Sequence, residues 1–149
     1  MRSTLTLLLT TALLAGGMAG CAGLDGEGDI VGPRGGVLVS DDGQLTVEIR
    51  PDALEEQMAI SVVATECENP AAFACYAFDP WGVMLAAPAW VVFDGQAAEE
   101  TSQMQPDELM LQVEGPEGWT PMSDANYDTD EGTAWASVMY LTSVSAVAK

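Results

Sequence analysis

Carboxylates, three cysteines and four tryptophans are the side chains of this 149-residue chain from which a chemical site would be built. Histidine is absent, so neither a Ser-His-Asp triad nor a Cys-His pair can form to activate a nucleophile. A metal site would have to use oxygen ligands, of the kind that calcium takes. The residue types therefore predict a protein that is not an enzyme and has no cofactor, with bound calcium as the alternative.

The segment 124–131 is the candidate calcium site. Oxygen-bearing side chains recur at every second position, at Asp124, Asn126, Asp128 and Asp130. An EF-hand loop that started at Asp124 would have Thr129 at its sixth position, where glycine is required, and Trp135 at its twelfth, where glutamate is required, so this is not an EF-hand. Two interpretations stay open: a looser calcium site on a hairpin loop, and a solvated acidic turn.

Tryptophan rings offer flat surfaces on which a sugar can stack. Trp81 lies in a Pro-Trp-Gly turn, where an exposed ring is expected, and it is the candidate for stacking on a glycan. Trp90 lies in an apolar run and is predicted to belong to the core. Trp81 therefore gives a second possible ligand class beside calcium.

The chain is strongly acidic. It has 23 Asp or Glu against four Lys or Arg, a net charge of −19 at pH 7. Proteins that bind nucleic acid carry basic patches for the phosphates, and anionic lipid head groups repel an acidic chain. The composition argues against nucleic acid as a partner and predicts that any membrane attachment uses an anchor.

The N-terminal segment resembles the signal peptide of a bacterial lipoprotein. Met1-Arg2 is basic, and residues 5–15 form an apolar stretch that is shorter than the about 20 residues needed to cross a hydrocarbon core. Gly16–Cys21 resembles a lipobox, which implies removal of residues 1–20 and attachment of acyl chains such as palmitate to Cys21. The alternative is an ordinary secretory signal whose cleavage site happens to precede a cysteine.

The lipoprotein resemblance also implies a location in the bacterial cell envelope. Ala22 follows Cys21 where many inner-membrane lipoproteins have aspartate, so the outer membrane is the favoured destination. Without Arg2, three basic residues remain against 23 acids, a net charge of −20. Residues 21–34 are rich in glycine and acids and are predicted to form a flexible tether.

Cys67 and Cys75 remain as a pair once Cys21 is acylated. An exported protein occupies an oxidising compartment, where an even number of cysteines predicts a disulfide. Their spacing is not C-x-x-C, and no further cysteine or histidine is present, which disfavours a redox or zinc motif. The pair is therefore predicted to be a structural disulfide.

From residue 35 the chain consists of short apolar segments separated by turn residues. Leu45–Ile49 alternates apolar and polar residues and follows the turn Asp41-Asp42-Gly43, a combination typical of a β-hairpin. Other segments with strand character are 37–39, 60–64, 76–78, 90–93, 109–113, 134–139 and 144–148. Seven or eight short strands predict an all-β fold of the antiparallel β-sandwich type.

Four stretches of the chain, in this order, resemble the ZU-five domain of zonula occludens and Unc-five proteins. They are Gly35–Leu38, Leu45–Leu54, Tyr76–Leu85 with Pro88, and Trp119–Met122 followed by Val138–Ser143. The resemblance covers residues 35–149 and implies a β-sandwich that serves as a protein-interaction module. Tyr140-Leu141-Thr142 stands where some members have a self-cleaving His-Phe-Ser segment. Because no histidine can activate Thr142, self-cleavage is not expected.

Together these observations predict a lipid-anchored envelope protein that displays a non-catalytic interaction module to an envelope protein partner. The alternative is an envelope lipoprotein that binds calcium through segment 124–131 or a glycan through Trp81. The identity of the partner or ligand does not follow from the sequence.

Overall fold

The computed structural model describes residues 28–96 and 108–148. The strands are β1 (Asp29–Val31), β2 (Gly36–Val39), β3 (Leu45–Ile49), β4 (Met58–Thr65), β5 (Ala72–Asp79), β6 (Val83–Asp94), β7 (Leu109–Gly115), β8 (Gly118–Pro121), β9 (Asn126–Asp128), β10 (Thr133–Leu141) and β11 (Val144–Ala148). They form a six-stranded sheet in the order β1-β4-β5-β11-β7-β8 and a five-stranded sheet in the order β2-β3-β6-β10-β9. The prediction of an all-β antiparallel sandwich is confirmed.

The predicted tether overlaps with the folded part of the chain. Residues 1–27, which include the signal segment and Cys21, lie outside the described residues. Asp29–Val31 pairs with β4, however, and the side chain of Val31 is buried in the core. The prediction that the tether continues to residue 34 is therefore wrong, because residues 29–31 form a strand that pairs with β4. Within the described ranges no helix is long and apolar enough to cross a membrane.

The core lies between the two sheets and follows from the alternation along each strand. In β3 the apolar residues Leu45, Val47 and Ile49 are all buried, as the sequence pattern predicts. At the centre, Tyr76 of β5 and Phe93 of β6 are both fully buried, and their ring centroids lie 6.1 Å apart. Since β5 and β6 belong to opposite sheets, this aromatic pair joins the two layers.

The hydroxyl of Tyr76 connects the turn between β2 and β3 to the six-stranded sheet. It donates a hydrogen bond of 3.0 Å to a carboxylate oxygen of Asp42. The other oxygen of Asp42 accepts from the backbone N–H of Gln44 at 3.0 Å and from the Ser40 hydroxyl. Burial, followed by the neighbouring Asp42 and Asp41 carboxylates, raises the pKa of the Tyr76 phenol well above its usual value.

Tyr76→Phe is expected to lower the free energy of unfolding by about 1 kcal/mol at neutral pH, because the hydrogen bond to Asp42 is lost. It should also change the response to alkali. In the unfolded chain the phenol ionises near pH 10, whereas in the folded protein it stays protonated, so above pH 10 the unfolded state binds fewer protons and stability falls as pH rises. The fall approaches about 1.4 kcal/mol per pH unit for one such group.

Urea unfolding of the parent protein and of Tyr76→Phe at pH 8, 10 and 11 measures how much the Tyr76 phenol contributes to the pH dependence of stability. The stability of Tyr76→Phe should decline less steeply than that of the parent protein above pH 10. Parallel declines would contradict a buried, protonated phenol.

The two cysteines of the folded domain join the ends of the β4–β5 hairpin. Cys67 follows β4, and Cys75 lies in β5 opposite Thr65. Their Sγ atoms lie at bonding distance, and their Cα atoms are 5.4 Å apart, within the range of disulfides. The arrangement supports the predicted disulfide, which on the chain-entropy model stabilises so short a loop by about 2–3 kcal/mol.

Candidate functional site

An irregularity in β6 shapes the candidate site. The pairing of β6 with β10 is regular as far as Ala89 and resumes at Met84, so residues 85–88 of β6 face a single residue of β10. Pro88 lies in this bulge, consistent with its lack of an N–H group for the ladder. The N–H of Ala86 bonds to the loop between β3 and β4 instead of to β10. Bulges of this kind redirect the neighbouring side chains.

Four large apolar side chains are exposed next to the bulge, at one end of the sandwich. Met84 is 68% exposed, Trp81 63%, Tyr140 54% and Met139 41%. Met84 and Tyr140 are cross-strand partners on β6 and β10, and Trp81 lies in the turn between β5 and β6. We call Trp81, Met84, Met139 and Tyr140 the corner patch. The predicted exposure of Trp81 is confirmed.

The turn that carries Trp81 is held against β10 by its backbone. Gly82 has a φ of 82°, a left-handed conformation that suits glycine. Its N–H donates a hydrogen bond of 2.7 Å to the carbonyl oxygen of Leu141. The turn therefore presents Trp81 beside the end of β10, where Tyr140 lies.

Trp81 and Tyr140 line one groove. Its volume is about 480 Å³. Further walls come from the end of β7 and the β7–β8 turn, with Glu114 and Pro116, and from Thr142 in the turn after β10. Tyr140 and Met139 also border a depression of about 530 Å³ beside β8. Met84 borders a third depression, of about 400 Å³, against the loop between β3 and β4. The first two depressions share Val113 and Tyr140, and Met84, the cross-strand partner of Tyr140, lines the third.

Thr142, the residue that the ZU-five resemblance would place at the self-cleavage site, is buried. Its hydroxyl donates a hydrogen bond of 2.9 Å to the carbonyl oxygen of Glu114. The N–H of Glu114 in turn donates to the carbonyl oxygen of Ser143, also at 2.9 Å. These bonds join the turn between β10 and β11 to β7, so the Thr142 hydroxyl has a structural partner at this position.

The predicted calcium ligands bond mainly within the protein. A carboxylate oxygen of Asp124 accepts from the N–H of Ser137 at 3.1 Å and from its hydroxyl. Asp128 accepts from the N–H of Asp130 at 2.8 Å, and the Asn126 amide donates to the carbonyl oxygen of Asp124 at 2.8 Å. Within residues 28–96 and 108–148, no three acidic or cysteine side chains are grouped to hold a metal ion. Calcium binding stays a prediction.

Trp90 lies on the outer face of the five-stranded sheet, and the prediction that it belongs to the core is wrong. Its ring is half-buried, and the guanidinium carbon of Arg50 lies 5.4 Å from the ring centroid, a cation–π arrangement. The core positions of this part of β6 are Val91 and Phe93. An apolar run does not reveal which of its alternating positions faces the core.

The sequence alone does not single out Met84, Met139 and Tyr140 as functional residues. Their exposure depends on the bulge at residues 85–88, which is set by contacts with β10 and with the loop between β3 and β4. The only local signal is that Met139 and Tyr140 are adjacent apolar residues at the end of an alternating segment.

No protein-family model matches this chain, and no curated protein matches it in sequence. The resemblances to lipoproteins and to the ZU-five domain therefore stay predictions. The fold and the corner patch are the features that bear most directly on function.

Proposed function

We propose that this protein is a lipid-anchored component of the bacterial cell envelope whose β-sandwich is a non-catalytic module that binds a protein partner. The observation that carries the proposal is the corner patch, four large apolar side chains exposed together at one end of the domain. The lipobox-like segment Gly16–Cys21 supports the anchored location, with the outer membrane preferred.

The composition of the corner patch is that of a protein interface. Tryptophan, tyrosine and methionine are enriched at the centres of such interfaces, and tryptophan and tyrosine dominate their binding energy. Soluble proteins rarely leave large apolar side chains in contiguous exposed patches without a function. Methionine adapts to partner surfaces of irregular shape because its side chain is flexible and polarisable. Covering these four side chains would remove apolar area from water and so favour association.

The backbone around the corner patch is already ordered by contacts within the domain. The Gly82–Leu141 hydrogen bond fixes the Trp81 turn, and the Met84–Tyr140 pairing fixes the two strands. A preformed surface loses less conformational entropy on binding than a loop that must first become ordered. This arrangement supports a docking role for the patch.

Photo-cross-linking in cells tests the proposal. A photoreactive amino acid at Met84 of the acylated, full-length protein is expected to capture one reproducible envelope protein. The same amino acid at Val63, which is 40% exposed on β4 of the other sheet, is the matched control and should capture that protein much less often. Trp81→Ser in the Met84-labelled protein should reduce the captured amount by roughly tenfold or more, as expected for an interface hot spot.

Two results would contradict this function. If Met84 and Val63 capture the same proteins with equal yield, the corner patch is not a specific docking surface. If Met84 captures nothing while the protein is correctly anchored and folded, a protein partner at this surface is excluded.

A further inference from the structure

We infer that the partner of the corner patch is basic, and that it places an arginine or lysine side chain in the groove between Trp81 and Tyr140. This inference rests on the proposed function and specifies the chemistry of the partner. It follows from the charges that surround the four apolar side chains.

Acidic residues line two of the depressions beside the corner patch, Glu55 and Glu56 as exposed side chains and Glu114 as a half-buried one. Glu55 and Glu56 line the depression beside Met84. Glu114 lines the groove with Trp81 and Tyr140. Two further acids adjoin the patch in sequence. Asp79 precedes the Pro80-Trp81 turn, and Glu117 follows Pro116 in the turn between β7 and β8.

Among residues 28–96 and 108–148, no basic side chain lines these depressions. The described residues contain 18 carboxylates and two arginines. Arg50 lies over the ring of Trp90 on the outer face of the five-stranded sheet. Arg34 lies in the turn between β1 and β2, where it borders a small cavity with Gln57. Neither arginine is among the residues lining the Trp81 groove or the Met84 depression.

An apolar surface with acidic residues around it disfavours acidic partners and favours basic ones. An acidic protein, an anionic lipid surface and a second copy of this chain, with its net charge of −20 after signal removal, would all meet like charges at the border. A basic surface would be attracted over a distance of about one Debye length, which is about 10 Å at 0.1 M salt. Charge complementarity of this kind raises association rates and excludes wrong partners.

The groove itself suits a cationic side chain. Lysine and arginine bind over the faces of tryptophan and tyrosine rings by cation–π attraction, arginine more often. The guanidinium group also stacks on aromatic rings and pairs with carboxylates in a fixed geometry. Trp81, Tyr140 and Glu114 all line this groove, so two aromatic residues and an acidic one lie at the same site.

Three peptide probes of 12 residues test the inference. They share the same leucine and proline residues and carry four arginines, four glutamines or four glutamates. Each is titrated into the acylated protein in zwitterionic detergent micelles, and binding is followed by NMR signals of the Trp81 indole and the Met84 methyl group. The arginine peptide is expected to shift both signals, with an affinity that falls by roughly tenfold between 50 and 200 mM salt. The glutamine and glutamate peptides should bind much more weakly.

Two charge variants with the same net charge distinguish attraction of the arginine peptide to acids near the corner patch from attraction to the acidic protein as a whole. Glu55→Gln, Glu56→Gln and Glu117→Gln together remove two charges that line the Met84 depression and one in the turn between β7 and β8. Glu66→Gln, Glu68→Gln and Glu131→Gln remove three exposed charges elsewhere and leave the same net charge. The first variant should lose affinity for the arginine peptide by roughly tenfold, and the second should change by less than about twofold.

Four outcomes would overturn the inference. Equal losses in the two triple variants would show unspecific attraction to an acidic protein. Equal binding of the glutamine or glutamate peptide would show that charge does not select the partner. Shifts of the Trp81 signal by an uncharged chitin tetrasaccharide, with none by the arginine peptide, would assign the groove to glycans. A cross-linked partner at Met84 with an acidic contact surface would refute this inference and leave the proposed function intact.

Discussion

Replacing Phe93 with alanine is expected to lower the free energy of unfolding by about 3–5 kcal/mol, the usual cost of removing a buried aromatic ring. Phe93 is 0% exposed and lies 6.1 Å from the Tyr76 ring, measured between centroids. It projects from the central strand of the five-stranded sheet onto the six-stranded sheet, so its loss leaves a cavity between the layers. Domains of this size have unfolding free energies of about 5–15 kcal/mol, which makes this loss a large fraction of the total.

Val92→Ala is the matched control for this prediction. Val92 is the preceding residue of β6, but it lies on the outer face and is 37% exposed. Its truncation should change the unfolding free energy by no more than about 0.5 kcal/mol. Urea unfolding followed by tryptophan fluorescence measures both variants. A larger loss for Val92→Ala than for Phe93→Ala would mean that β6 is out of register by one residue, since such a shift exchanges its two faces.

Local sequence pattern was sufficient to predict most of the strands. Leu45–Ile49 was predicted with the observed bounds, because it alternates strictly and follows a turn with glycine, Gly43, at a φ of 75°. Three short strands were not predicted: β1, β8 and β9. Each has three or four residues, too few for a periodic pattern. Their partners β4, β7 and β10 provide the ladder that defines them.

The candidate site was only partly predictable, because it depends on contacts between distant segments. Trp81 was predicted to be exposed because proline and glycine flank it in a turn. Met84 lies in a strand of mostly apolar residues, and nothing in that run distinguishes an exposed methionine from a buried one. Tyr140 becomes its neighbour only through the β6–β10 pairing after the bulge. Binding surfaces formed in this way are visible only once strand register is known.

A lipid anchor and a docking surface would act together if the proposed function is right. Attachment to a membrane confines the domain and its partner to one surface, which raises their effective concentration. A patch of four apolar side chains can then operate with a modest intrinsic affinity. Loss of the anchor should therefore reduce cross-linking at Met84 even though the domain itself is unchanged.

Cys21→Ser is expected to move the protein almost completely from the membrane fraction to the soluble fraction. A single acyl chain holds a protein on a membrane only marginally, whereas two or more hold it stably, and the lipobox resemblance implies several chains on this one sulfur and its amino group. Serine at this position cannot form the thioether, so all of them would be lost. Fractionation of cells measures the loss of membrane association, and metabolic labelling with a palmitate analogue measures the loss of the acyl chains.

The double variant Cys67→Ser and Cys75→Ser is the control, because it also removes cysteines but leaves the implied acylation site in place. It should stay in the membrane fraction and keep the palmitate label, while losing the disulfide. Membrane association of Cys21→Ser that survives a high-salt wash would contradict the anchor. Charge cannot account for such binding, since a protein with 23 acids and three or four basic residues is repelled by anionic lipids. In that case the membrane contact would have to be apolar, and the corner patch would be the first surface to test.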